Sequence, residues 1–218
     1  MSDVRDFILG FKTFQEEYFK HDRSLFDELQ AGQKPKALVI ACCDSRTDPF
    51  PLMRCDPGDI FVVRNIANIA PPYQPDQTHH GVSAALEYAV KTLNVPDIII
   101  LGHSSCGGIH ALIEGEDEGG TEFVGRWISI LDKAKRRALS KFGKDNERVY
   151  RACEMAGILT SLENLMTFPF VAERVREGTL RIHGWYFDMK AGKLLSYLSQ
   201  TGTFEELSPL CPYSEDDG

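Results

Sequence analysis

Cys42, Asp44 and Arg46 fall in the stretch CCDSR, and His103 and Cys106 fall in a second stretch, GHSSCGG. Cysteine thiolates and a neutral imidazole are donors that suit zinc. Three such donors, Cys42, His103 and Cys106, leave the fourth tetrahedral position for water, which marks a catalytic rather than a structural site. Either stretch alone reads more readily as buried core than as a metal site, because cysteine is among the most buried residue types. The two together, with a carboxylate and a guanidinium beside one of them, favour a metal centre. Asp44 next to a metal either ligates it or is held back by Arg46 as a hydrogen-bond acceptor. GHSSCGG carries neither the lysine of a phosphate-binding loop nor the glycine spacing of a dinucleotide fold.

Both stretches follow apolar runs, ALVIA and DIIIL, that read as buried strands over 36–42 and 97–101. A further strand is expected over 59–65, after a turn-rich segment with Pro49, Pro51, Pro57 and Gly58. A proline-rich loop (70–81) leads into a helix marked by Val82, Ala85, Leu86, Ala89, Val90 and Leu93. Helices are expected over most of 121–177, and a hairpin over 179–198 with MKAG as its turn. Val4, Phe7, Ile8, Phe11, Phe14 and Tyr18 recur at three- and four-residue steps, so the chain opens with an amphipathic helix that packs on its own domain or on a partner chain. The fold class is α/β: a single domain with a central, mostly parallel sheet flanked by helices, an N-terminal helical arm and a C-terminal β-hairpin. The expected divisions are an arm (1–34), a catalytic core (35–200) and a C-terminal tail (201–218). In such sheets ligands gather beyond the carboxyl ends of strands, so Cys42, His103 and Cys106 meet if their strands are neighbours.

The formal charge is −8 and no long basic run occurs, so neither nucleic acid nor an anionic membrane is expected as a partner. The cluster KAKRRALSK reads as the solvated face of a helix. No apolar stretch approaches the roughly 20 residues that span a bilayer, and the N-terminus has no secretory pattern. Cytoplasmic placement is expected, or matrix or stroma after removal of a transit peptide. In that setting Cys42, Cys43, Cys55, Cys106, Cys153 and Cys211 read as thiols or metal ligands rather than disulfides.

CCDSR, GDIFVVRNIAN, GVSAALEYAV, GHSSCGG and IHGWYFDMKAGKL together resemble the β-class carbonic anhydrases, in the plant-like branch, over nearly the whole chain. The resemblance implies one zinc per chain on Cys42, His103 and Cys106, with Cys43 at the variable position of its motif. It implies attack of zinc-activated hydroxide on carbon dioxide to give bicarbonate, with Asp44 and Arg46 as the catalytic pair and Gly107 allowing close approach of substrate. Two positions depart from the plant-like pattern. Asp56 stands where a substrate-contacting Gln is found. His79 stands where a Tyr lies near the cleft of a neighbouring subunit, and it reads either as a proton shuttle or as an exposed loop histidine. Val39 replaces the Trp that marks an inhibitory bicarbonate pocket, so no such pocket is expected and Arg64 is assigned to the strand-end hydrogen bonds. A homodimer or homotetramer is implied. Hydrolysis of carbonyl sulfide or carbon disulfide on the same site, or a catalytically silent zinc-binding scaffold, are the alternatives.

Overall fold

The computed structural model of the chain describes residues 4–76, 78–115, 121–144 and 146–207; Cys211 and most of the acidic loop after Glu114 lie outside them. The residues divide into two compact units at Lys34 and Pro35. The first holds helices α1 (Val4–Gln15) and α2 (Ser24–Gln30), joined by a π-helical turn over Glu16–His21. Phe14, Tyr18, Phe19 and Phe26 cluster within this unit, with ring centroids 4.8–6.2 Å apart.

The second unit is built on one sheet with strands β1 (Ala37–Cys42), β2 (Ile60–Asn65), β3 (Asp97–His103), β4 (Arg181–Asp188), β5 (Lys193–Leu198) and β6 (Thr203–Glu206). Their order is β2-β1-β3-β4-β5-β6. The first four run parallel, β5 pairs antiparallel with β4, and β6 pairs antiparallel with β5. Every residue of β1 is buried, as a strand covered on both faces must be. The expected hairpin is present, with Met189–Gly192 as its turn. The stretch after residue 200, read from the sequence as a tail, adds β6 to the sheet. Its short polar sequence, TFEE, carries little strand signal, and its pairing with β5 supplies the order.

Between β1 and β2 lies the short helix α3 (Pro49–Met53), capped by Asp48, whose side chain accepts from Phe50 N at 3.0 Å. Helix α4 (Gly81–Glu87) and a π-helical turn over Tyr88–Thr92 cover the expected helix before β3. After β3 come α5 (Gly107–Glu114), α6 (Val124–Ile128), α7 (Asp132–Phe142), α8 (Arg148–Leu165) and α9 (Pro169–Arg176). The basic cluster lies on α7, with Ala134 and Ala138 buried and Lys133, Arg136, Arg137 and Lys141 exposed. No single helix among the described residues is long and apolar enough to cross a membrane.

Helix α8 sits against the sheet where two glycines allow it. A Cβ on Gly102 would lie 2.7 Å from Ile158 Cδ1, and one on Gly184 would lie 2.8 Å from Ile158 Cγ2. Ile158 is fully buried between these strands. The two glycines therefore set how closely α8 approaches β3 and β4, and with it the position of every side chain that α8 presents to the sheet.

Candidate metal centre

Strands β1 and β3 are neighbours in register, with Ala41 beside Leu101. The chain leaves β1 at Cys42 and β3 at His103, so parallel pairing brings both stretches to the carboxyl end of the sheet. Cys106 follows three residues later as the cap of α5. Ser105, at φ +57°, supplies the left-handed residue that turns the chain between His103 and Cys106.

The donor atoms of Cys42, His103 and Cys106 lie within 4.8 Å of one another, and all three residues are buried. The two sulfurs are 4.0 Å apart. His103 Nδ1 lies 2.9 Å from the Ser104 carbonyl, which accepts its proton and leaves Nε2 with a free lone pair. Nε2 is buried and meets no protein partner. A buried imidazole nitrogen without a hydrogen bond, facing two soft sulfurs, fits a tetrahedral zinc with one position open.

Without a cation the two thiols cannot both ionise in that space. The hydrogen bond from Cys106 pushes the Cys42 thiol down to about 4, against the cost of burial and with help from His103. The same hydrogen bond, together with burial, pushes Cys106 up. Burial opposes the imidazolium of His103, but its contacts with Cys42 and the Ser104 carbonyl outweigh that and raise it.

Asp44 and Arg46 form a two-pronged pair, Arg46 Nε donating to Oδ1 at 2.9 Å and Nη2 to Oδ2 at 2.7 Å. Arg46 N also donates to Oδ1 at 3.0 Å. The guanidinium holds the Asp44 carboxyl far below the usual carboxylate range. Arg46 Nη2 also donates to the Ser105 carbonyl at 3.0 Å, which ties the pair to the turn between His103 and Cys106. Arg64 takes the strand-end place assigned to it. It donates to the carbonyls of Cys42 at 2.8 Å and Asp44 at 2.7 Å, and it pairs with Asp48 at 2.5 Å.

Gly107 borders open space, with nothing within 4 Å of a Cβ placed there, so a small molecule can reach its backbone. Its neighbour Gly108 is the glycine that packing requires, since a Cβ there would lie 2.6 Å from Ile66 Cγ2.

Asp56 and His79 do not join this group within one chain. Asp56 N bonds Asp59 at 2.9 Å, and Asp59 pairs with Lys36 at 2.6 Å, at the starts of β1 and β2. Cys42 lies a full strand away, about 20 Å at roughly 3.3 Å per residue. The loop carrying the exposed His79 is fastened to the end of α8, where Tyr73 N donates to Thr167 at 2.8 Å. Cys106 contacts the same helix at Glu154, about 20 Å earlier along its axis. Among the other histidines, His110 stacks on Tyr150 at 4.1 Å and His183 bonds Asp97 at 2.8 Å.

A family model described as carbonic anhydrase matches residues 37–194. The chain is 42% identical over 191 residues to beta carbonic anhydrase 5, chloroplastic, of Arabidopsis thaliana, covering 85% of this chain and 61% of that one. The chain thus spans 61% of the length of that relative. Among solved structures, the beta-carbonic anhydrase CcaA matches with a TM-score of 0.88 at 34% identity, over 94% of this chain and all of that one. A structure from the work on two tetrameric beta-carbonic anhydrases of Sordaria macrospora matches with a TM-score of 0.67 at 30% identity, over 88% and 92% of the two chains.

Proposed function

The chain belongs to the β-class carbonic anhydrases, and from that premise we propose that it interconverts carbon dioxide and bicarbonate at the Cys42–His103–Cys106 centre. The observation that carries the proposal is the buried, unpartnered His103 Nε2 beside two cysteine sulfurs. Cys42, His103 and Cys106 are the residues that would hold zinc. When bound, zinc supplies a Lewis acid that makes water a nucleophile near neutral pH.

The chain's own residues supply orientation. The Ser104 carbonyl fixes the His103 tautomer. Asp44, kept ionised and turned towards Arg46, has both acceptor sites of Oδ1 filled and offers the lone pair left on Oδ2 to the hydrogen of the attacking water. Arg46 would thereby keep the carboxylate from binding the metal itself. The open space at Gly107 receives the substrate.

Stopped-flow hydration of carbon dioxide, with zinc measured on the same sample, tests this. About one zinc per chain and fast turnover are expected, with Arg46→Ala keeping its zinc and losing turnover by about 10–100-fold. Zinc without turnover at any pH between about 6.5 and 9 would overturn the assignment of activity. It would leave sulfur analogues of carbon dioxide, or a silent scaffold.

We also infer a homo-oligomer. Val4, Phe7, Ile8, Leu9 and Phe11 on α1 are each more than half exposed, an apolar face of the kind that partner chains cover. Asp56, about a strand's length from the centre of its own chain, would reach such a centre only on another copy. Light scattering should give a dimer or tetramer mass, and a monomer at working concentration would sink the inference.

A further inference from the structure

Glu154 is a carboxylate only 5% exposed, on the stripe of α8 that otherwise buries Val149, Cys153, Gly157, Ile158, Ser161 and Leu165. A charge is costly to bury unless its lone pairs are met. Oε2 accepts from the Tyr186 hydroxyl at 2.7 Å, and Oε1 accepts from the backbone N–H of Cys106 at 3.2 Å. Cys106 is the cap residue of α5. The amide of such a residue is often met by a Glu or Gln three positions into the same helix. That position here is Ile109, and Glu154 supplies the acceptor from another helix instead.

The carboxylate is itself firmly seated. Tyr186 is fully buried on β4, with the Arg151 guanidinium 5.1 Å above its ring, and Arg151 pairs with Asp188 at 2.5 Å. One turn beyond Glu154, Ile158 locks α8 between Gly102 and Gly184. The loop that Glu154 touches needs such support, because Ser105 holds a left-handed backbone between the two ligands. Ser104 N donates to the Phe187 carbonyl at 2.9 Å, and Met189 N donates to the Ser104 hydroxyl at 2.9 Å, which fasten the His103 end. Glu154 fastens the Cys106 end.

We propose that Glu154, seated by Tyr186, is a positioning residue for the metal: by anchoring the Cys106 amide it sets where the Cys106 sulfur stands relative to Cys42 and His103. This rests on the zinc centre proposed above.

The test compares zinc release into excess chelator, and the visible thiolate-to-cobalt spectrum of cobalt(II)-loaded protein, for the parent, Glu154→Ala, Tyr186→Phe and Leu165→Ala. Leu165 lies fully buried at the far end of α8 and serves as a stability control. Glu154→Ala should release zinc about 10–100-fold faster than the parent and shift the cobalt bands. Tyr186→Phe should move both readouts the same way by a smaller factor. Leu165→Ala should lower the denaturation midpoint while keeping the parent's release rate and spectrum. Glu154→Ala matching Leu165→Ala in both readouts would overturn the proposal. If Glu154→Ala does not fold, Tyr186→Phe indistinguishable from the parent overturns it instead. A parent that binds no zinc, or a Cys106→Ser variant that keeps it unchanged, would instead remove the centre on which the proposal stands.

Discussion

At the scale of single residues, the Cys42, His103 and Cys106 group that would hold zinc carries a measurable proton balance. With no metal present, Cys42 is pushed down to about 4 while Cys106 is pushed up and His103 is raised. Near pH 7 the metal-free centre therefore holds one thiolate and one thiol, beside an imidazole whose affinity for a proton is raised. Zinc needs both thiolates and the neutral imidazole, so loading must expel protons. About one to two protons per zinc are expected in weakly buffered solution at pH 7, read with an indicator dye. The sign runs the same way in acid: as pH falls, the protons that zinc displaced return and compete with it, so retention weakens. Release of no protons would mean that a different donor set binds the metal. That Cys42, His103 and Cys106 could meet, and that Asp44 could pair with Arg46, was legible in the sequence because the residue types are rare and each stretch is short. Glu154 was less so, although it left a trace: a charged residue on an apolar stripe, four positions before Ile158. What it contacts is set by α8 crossing two strands distant in sequence, and no local pattern encodes that.

At the scale of elements, the meeting of β1 and β3 decides whether the ligands converge. Alternation of apolar runs and helices made parallel strands the natural expectation, but the adjacency of these two follows from the order β2-β1-β3, in which the connection through α4 passes over β1. The approach of α8 is governed by glycines whose role the sequence does not announce. Gly102→Ala would drive a Cβ to 2.7 Å from Ile158 Cδ1 and 2.8 Å from its Cγ1. A loss of about 1–3 kcal/mol is expected from overpacking, read as a lowered midpoint in urea. Ile158→Val, which removes Cδ1, should shrink that penalty, so the two substitutions should be non-additive. Equal penalties in both backgrounds would show that the strain is relieved elsewhere. The hairpin β4–β5 was visible through its turn residues, whereas β6 has too few apolar residues to reveal itself before its partner strand is in place.

At the scale of the whole molecule, the division between the arm and the sheet unit was expected from the Phe-rich periodicity that precedes the first strand. Which molecule covers the exposed face of α1 lies beyond what one chain encodes. The burial of β1 has a consequence for exchange of backbone amides with heavy water. A central strand buried at every position and paired on both sides opens only when the molecule unfolds globally, so its amides should be among the slowest to exchange. Cys42 is the last residue of that strand, and His103 ends its equally central neighbour. Stripping the metal should therefore speed exchange around residues 104–107 and leave β1 and β3 protected, as mass spectrometry of peptides would report. Metal then enters a framework that is already folded and leaves without dissolving it, so an exhausted sample should regain its metal by simple incubation, with no denaturation step.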